Sequence, residues 1–249
     1  MDVSFELIVA LTIASFLLAG FVKGVIGLGL PSITIALLVL AMSPAQAAAL
    51  MIIPSLVTNV WQMFVGPHLV ALIRRFWSLT LASVAGIWLG GGVLTSANSR
   101  FAAFGLGVSL VIYAVIGLAK VRFTVKAEHE VWLAPMIGFA TGLIAGGTGV
   151  YLIPAGPYYQ ALGLTKDELV QMLGFYFTVC TLTLAAVLLQ AGVMQVGNAT
   201  GSALAVLPAF AGMAIGQVIR KRASEETFRK YFFIGLLVLG TQQAIRNMI

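Results

Sequence analysis

The chain has 249 residues, 60% hydrophobic and 9% charged, with a formal net charge of +6 and a mean hydropathy of +1.04. A soluble domain carries roughly a quarter charged residues, so this chain cannot cover itself with a wettable surface, and its basic residues lie in short loops rather than on one nucleic-acid-binding face. Each crossing takes about 20 apolar residues, so membrane segments consume most of the length, and the single cysteine, Cys180, excludes a disulfide framework or a CxxC metal site.

The first segment is acidic at Asp2 and Glu6 and has no basic leader, so it reads as a membrane segment rather than a cleaved signal. Apolar runs follow at about 5–22, 31–42, 45–66, 76–97, 101–121, 131–146, 149–162, 166–190, 198–220 and 228–248. The second and seventh are too short to span. Each follows its predecessor across a glycine-rich break, residues 23–31 and 145–149.

The pattern repeats. Gly20-Phe21, Gly24 and Gly29 recur as Gly138-Phe139, Gly142 and Gly147, a shift of 118, while Ser43 pairs with Thr165. Gly86 and Gly90 pair with Gly212 and Gly216, and Ser96 and Gly107 with Ser224 and Gly235. Two copies are expected, at 1–121 and 129–249, joined by a cytoplasmic linker at 122–128. If each break is the tip of a hairpin that returns to its own side, eleven loop cations fall on one side: Arg74, Arg75, Lys120, Arg122, Lys126, Lys166, Arg220, Lys221, Arg222, Arg229 and Lys230. Only Arg100 and Arg246 fall on the other. Counting each break as a simple crossing loses this bias. The positive-inside rule therefore favours an all-α polytopic membrane protein of two inverted repeats, each a glycine-broken helical hairpin plus three long transmembrane helices, with both termini periplasmic.

Opposed hairpins would each start a helix at the tip, aiming two N-termini with unpaired amides into the membrane. Such paired broken segments mark a transporter's binding site, and helix N-termini favour an anion.

At these breaks the sequence resembles the sulfite exporter TauE/SafE family. The carriers are Gly20-Phe21-x-x-Gly24-x-x-Gly27-x-Gly29-x-Pro31 and Gly138-Phe139-x-x-Gly142-x-x-x-Gly146-Gly147-x-Gly149, and the resemblance covers essentially the whole chain. It implies secondary transport of small, often sulfur-containing anions across the bacterial inner membrane by a protein usually described with seven or eight spans.

Candidate substrate-binding residues follow. Lys23 is the one basic residue inside a predicted membrane segment or break, and two readings stand: a fixed charge that attracts the anion, or a side chain that snorkels to the inner surface. Gly24, Gly27 and Gly29, with Gly146, Gly147 and Gly149, would let backbone amides approach the anion, or would serve helix packing. Pro31 suits a first helical position. Ser32 and Thr148 would donate hydroxyls to the anion or cap the backbone. Ser55, Thr58, Asn59 and Gln62 share one helical face and line a path or bond a neighbouring helix, with Asn59 and Gln62 the candidates chosen. Thr181 and Tyr151 are the candidates of the second half, while Tyr158 and Tyr159 line the second hairpin or anchor at the interface.

No carboxylate or histidine falls mid-membrane in this reading, so no proton relay is expected. An anion leaving a negative cell gains about 2.3 kcal/mol per charge per 100 mV, which favours export. The expected function is secondary transport of a sulfite-like or organosulfonate anion by alternating access; a channel or an importer of another organic anion is the alternative. Nothing in the sequence supplies a nucleophile–base pair or HExxH motif, so no catalytic residue, metal or cofactor is expected. The expected partners are the anion, the lipid bilayer and a second copy of the chain in a homodimer, with no nucleic acid.

Overall fold

In the computed structural model, which describes residues 5–96, 99–119, 124–220 and 225–248, the chain is helical. The elements are α1 (Phe5–Ile26), α2 (Leu30–Leu38), α3 (Pro44–Met63), α4 (Leu69–Leu94), α5 (Ser99–Leu118), α6 (Ala127–Thr148), α7 (Ala155–Ala161), α8 (Lys166–Gln190), α9 (Val196–Leu204), α10 (Val206–Arg220) and α11 (Glu225–Met248). Among the described residues six stretches are long and apolar enough to cross a membrane: α1, α4, α5, α6, α8 and the joined α9–α10. Asp2, Lys120, Arg122, Lys221, Arg222, Ser224, part of the expected linker and the side chains of Lys166, Glu225 and Glu226 lie outside the description.

Local chemistry sets the boundaries. Ser43 and Thr165 cap α3 and α8 with reciprocal capping boxes, closed by Gln46 and Glu168. Gly27 and Gly29 end α1 and begin α2 at φ of 80° and 103°, and Gly149 ends α6 at 77°, where a side chain would be strained. Both breaks begin later than the sequence suggests, because Lys23–Ile26 and Ala145–Thr148 remain helical. Glycine there makes room for a neighbour rather than ending the helix. Likewise α4 starts at Leu69, and Phe76, where the sequence places the start, is an internal kink with φ −110° and ψ 15°.

Interhelical contacts recur in two sets. A methyl group on Gly20 or Gly24 would collide with the carbonyls of Ala209 or Met213 on α10, and one on Gly142 or Gly146 with those of Ser83 or Ile87 on α4. Reciprocally, Gly212 and Gly216 lie against Leu17 and Phe21, and Gly86 and Gly90 against Phe139 and Leu143. Every contact in one set maps onto the other by a shift of 122 in α1/α6 and 126 in α4/α10. This corrects the sequence register of 118 by one helical turn. Glycines four residues apart leave sequence matching free to slip by four, whereas the packing partner admits one register.

Residue pairs also give directions. Numbers rise together along α1 and α10 and along α6 and α4, so these pairs are parallel. By contrast α3 and α8 are antiparallel, with Met63 against Gly174 and Gly66 against Gln171. So are α5 and α11: Arg100 Nε donates to the Asn247 carbonyl at 2.9 Å, Gly107 abuts Gly240, and the Tyr113 and Phe233 rings meet at 5.0 Å.

The second break is the tip of a returning hairpin. Beyond Gly149 the chain is non-helical to Pro154, the Ala155 N–H donates to Thr141 Oγ1 halfway back along α6 (3.0 Å), and the Val125 N–H, just before α6, donates to the Ala161 carbonyl (3.1 Å). At this end Arg75 forms a two-pronged ion pair with Glu130, and Arg229 reaches Gln160.

Candidate functional site

Among the described residues, the interior between α1 and α3 holds one buried charged side chain. Lys23, one turn before the end of α1, is 4% exposed, and its ammonium is turned onto α3, donating to Thr58 Oγ1 at 3.0 Å and to Asn59 Oδ1. Thr58 can accept because its own proton goes to backbone carbonyls, Pro54 at 2.8 Å or Ser55 at 3.2 Å. Asn59 Nδ2 is buried with no partner. Among the described residues no carboxylate lies within ion-pairing distance of Lys23.

The face of α3 predicted to be polar is fully turned inward: Ser55, Thr58 and Asn59 are buried completely and Gln62 nearly so. Gln62 Nε2 straps the first break to α8, donating to the Gly27 carbonyl (3.1 Å) and to the Val170 carbonyl (2.9 Å). Higher on the same face Ser55 donates to Met51 Sδ (2.7 Å), which also accepts from Tyr151 Oη at 3.5 Å. Tyr151 Oη lies 3.1 Å from Thr181 Oγ1. The structure thus joins Lys23, Asn59, Gln62, Tyr151 and Thr181 through one face of α3, and the shift of 122 carries Asn59 onto Thr181.

Other expected site residues have local duties. Gly24 and Gly146 are packing glycines against α10 and α4. Gly27, Gly29 and Gly149 shape the breaks, with Gly149 against Ile35, and a Cβ on Gly147 would make only ordinary contacts, with Val93 at 3.7 Å and the Gly90 carbonyl at 3.9 Å. Pro31 stands in the first turn of α2 after Gly29, with Ser32 buried beside it. Thr148 donates to the Ile144 carbonyl (2.7 Å) and accepts from the Val150 N–H (3.3 Å).

The expected pair of amide-rich helix N-termini is corrected in the second hairpin. Its returning helix starts at Ala155, not at the tip. The Ala155 N–H is taken by Thr141 and the Gly156 N–H by the Leu152 carbonyl (2.7 Å), and Pro157 has none to offer. Tyr158 and Tyr159 are buried rather than interfacial.

Sequence reasoning passed over three features. Thr58 lay on the polar stripe, and the clue to its accepting role was its place inside a helix, where a threonine hydroxyl gives its proton to the carbonyl four residues back and keeps its lone pairs free. Ser202 donates to the Leu50 carbonyl (2.7 Å) and accepts from the Ile53 N–H (3.1 Å), contacts about 150 positions away in sequence. Tyr176 and Cys180 stand a turn apart on α8, and folding alone brings the buried Tyr159 ring against Tyr176.

Residues 12–242 match the family model described as sulfite exporter TauE/SafE. No curated protein and no solved structure matches the chain. With its family model spanning nearly the whole chain and its helices built for a bilayer, the protein belongs to the sulfite exporter TauE/SafE family of membrane transporters.

Proposed function

We propose that the protein carries a small sulfur-containing anion, sulfite or an organosulfonate, out across the bacterial inner membrane by alternating access around Lys23. The observation that carries this reading is a buried ammonium with no carboxylate partner. Taking a charge out of water costs several kcal/mol even after relaxation, and ionisable groups inside membranes default to function. Thr58 and Asn59 offset part of that cost as neutral acceptors. The rest is offset when an anion arrives, and Asn59 Nδ2 offers it a second donor.

Inverted repeats, 1–121 and 129–249, account for the helix directions. Helices that correspond between the copies, α3 with α8 and α5 with α11, run oppositely, as a two-fold axis in the membrane plane requires. On α3 and α8 the antiparallel crossing and the shift of 122 meet between Val57 and Thr58 and between Val179 and Cys180. That midpoint lies beside Thr58 and Asn59, so Lys23 binds at the level of the pseudo-symmetry axis, not near a surface. The near-complete burial of Lys23 fits an occluded carrier better than an open channel. The cation-rich end carrying Arg74, Arg75, Lys126, Arg229 and Lys230 is then cytoplasmic and both termini periplasmic.

Counterflow of radiolabelled sulfite in proteoliposomes tests the reading. Saturable exchange that falls about 10- to 100-fold in Lys23→Met is expected; exchange at the wild-type rate in that variant would remove Lys23 from the site, and no flux of sulfite or any small sulfonate in the wild type would remove the function.

A further inference from the structure

Between α4, α7 and α8, away from Lys23, lie two tyrosine hydroxyls that packing does not explain. Tyr159 is fully buried and its hydroxyl has no partner; the Tyr158 hydroxyl is in the same condition. An unsatisfied buried hydroxyl costs about 1–3 kcal/mol, and phenylalanine would fill the same space without that cost. The Tyr159 ring is held edge-on by Phe76 at 5.3 Å and by Tyr176 at 5.6 Å. Tyr176 is anchored by Ser83 at 3.0 Å, and the buried Cys180 thiol stands one turn further along α8. Ring contacts connect the set to both ends of the interior. At the cation-rich end Arg75 covers Phe76 at 5.1 Å, and at the other Tyr176 leads through Phe177 to Tyr151 and Thr181, with rings 5.8 Å apart at each step.

We propose that this cluster is a second anion subsite, in which the hydroxyls of Tyr158 and Tyr159 and the Cys180 thiol donate to the sulfonate or sulfite oxygens between the cation-rich end and Lys23. The assignment rests on the anion-transport reading. Neutral donors suit a staging position, because they hold an anion without the attraction of a fixed charge and so release it toward the ammonium.

Cys180 is the single cysteine of the chain, so the full-length protein reports on the subsite directly. In proteoliposomes N-ethylmaleimide should alkylate Cys180, and methanesulfonate, inert toward both thiol and reagent, should slow that reaction. At about ten times its dissociation constant the slowing should be about tenfold. Protection should persist, at its own dissociation constant, in Lys23→Met and be lost in Tyr159→Phe, which keeps the ring. Protection abolished by Lys23→Met but untouched in Tyr159→Phe would overturn the subsite and leave the central site standing. So would a thiol that stays unmodified while the protein transports. Absence of sulfonate binding and flux in the wild type would overturn the transport reading itself.

Discussion

The ammonium of Lys23 on α1 donates to Asn59 Oδ1 on α3, and this one contact leaves the Asn59 amide nitrogen beside it as an unpartnered donor. The pair therefore presents positive charge and a free N–H together. Asn59→Asp keeps the shape and replaces the neutral acceptor by a carboxylate, which would pair with Lys23 and remove both features. The variant should unfold at a higher temperature than the wild type and bind methanesulfonate at least about tenfold more weakly, since hydrogen bonds to a charged group are worth about 1.5–3 kcal/mol. Calorimetric titration alongside thermal unfolding checks it; undiminished binding would show that the anion does not meet this pair.

Removing the charge itself separates recognition from folding. Lys23→Met keeps the length of the buried stem and should lower transport about 10- to 100-fold through the lost charge-assisted contacts, while leaving the helices at least as stable because no buried cation remains. Lys23→Arg keeps the charge but demands a wider, planar space between α1 and α3, so it should bind the anion and cycle slowly. Initial rates and equilibrium binding, measured on the same preparations, separate the two behaviours.

Much of this was written locally. The Ser43 and Thr165 caps, the glycine breaks and the inward face of α3 follow from short patterns whose physics lies within a turn or two. What sequence could not give was which helix each face meets. Lys23 acquires Thr58 and Asn59 only once α1 is laid on α3, and the glycine ladder could be read one turn out because Gly138, Gly142 and Gly146 are equivalent until Leu79, Ser83 and Ile87 are opposite them. The N-terminus of α7 seemed open because its cap, Thr141, comes from the helix before it.

The glycines of the two breaks should divide accordingly. Gly146→Ala places a methyl group against the Ile87 carbonyl and Gly24→Ala one against the Met213 carbonyl, backbone atoms that cannot step aside alone. Each should cost about 1–3 kcal/mol and reduce the folded yield. Gly147→Ala meets only ordinary contacts, with Val93 and the Gly90 carbonyl, and should fold and transport nearly as the wild type does. A Gly147→Ala protein that unfolds like Gly146→Ala would refute the packing register.

Pro54 and Ser202 define the joint on which α3 can bend. Proline at position 54 offers no N–H to the Leu50 carbonyl, four residues earlier, and its ring crowds that carbonyl. Ser202 of α9 fills the gap, donating to Leu50 and accepting from the Ile53 N–H, and so supports the helix immediately before Ser55, Thr58 and Asn59. Ser202→Ala removes both hydrogen bonds at this half-buried point of α3 and should destabilise the protein by about 1–3 kcal/mol. Pro54→Ala supplies the missing N–H to Leu50 from within α3, so in that background the same serine change should cost clearly less. A double-mutant cycle on unfolding free energy measures the difference, and strict additivity would show that the serine does not serve the proline. Pro54→Ala should also stiffen α3 and slow anion exchange more than it weakens anion binding, because it restores a backbone hydrogen bond beneath the polar face without altering the side chains that hold Lys23.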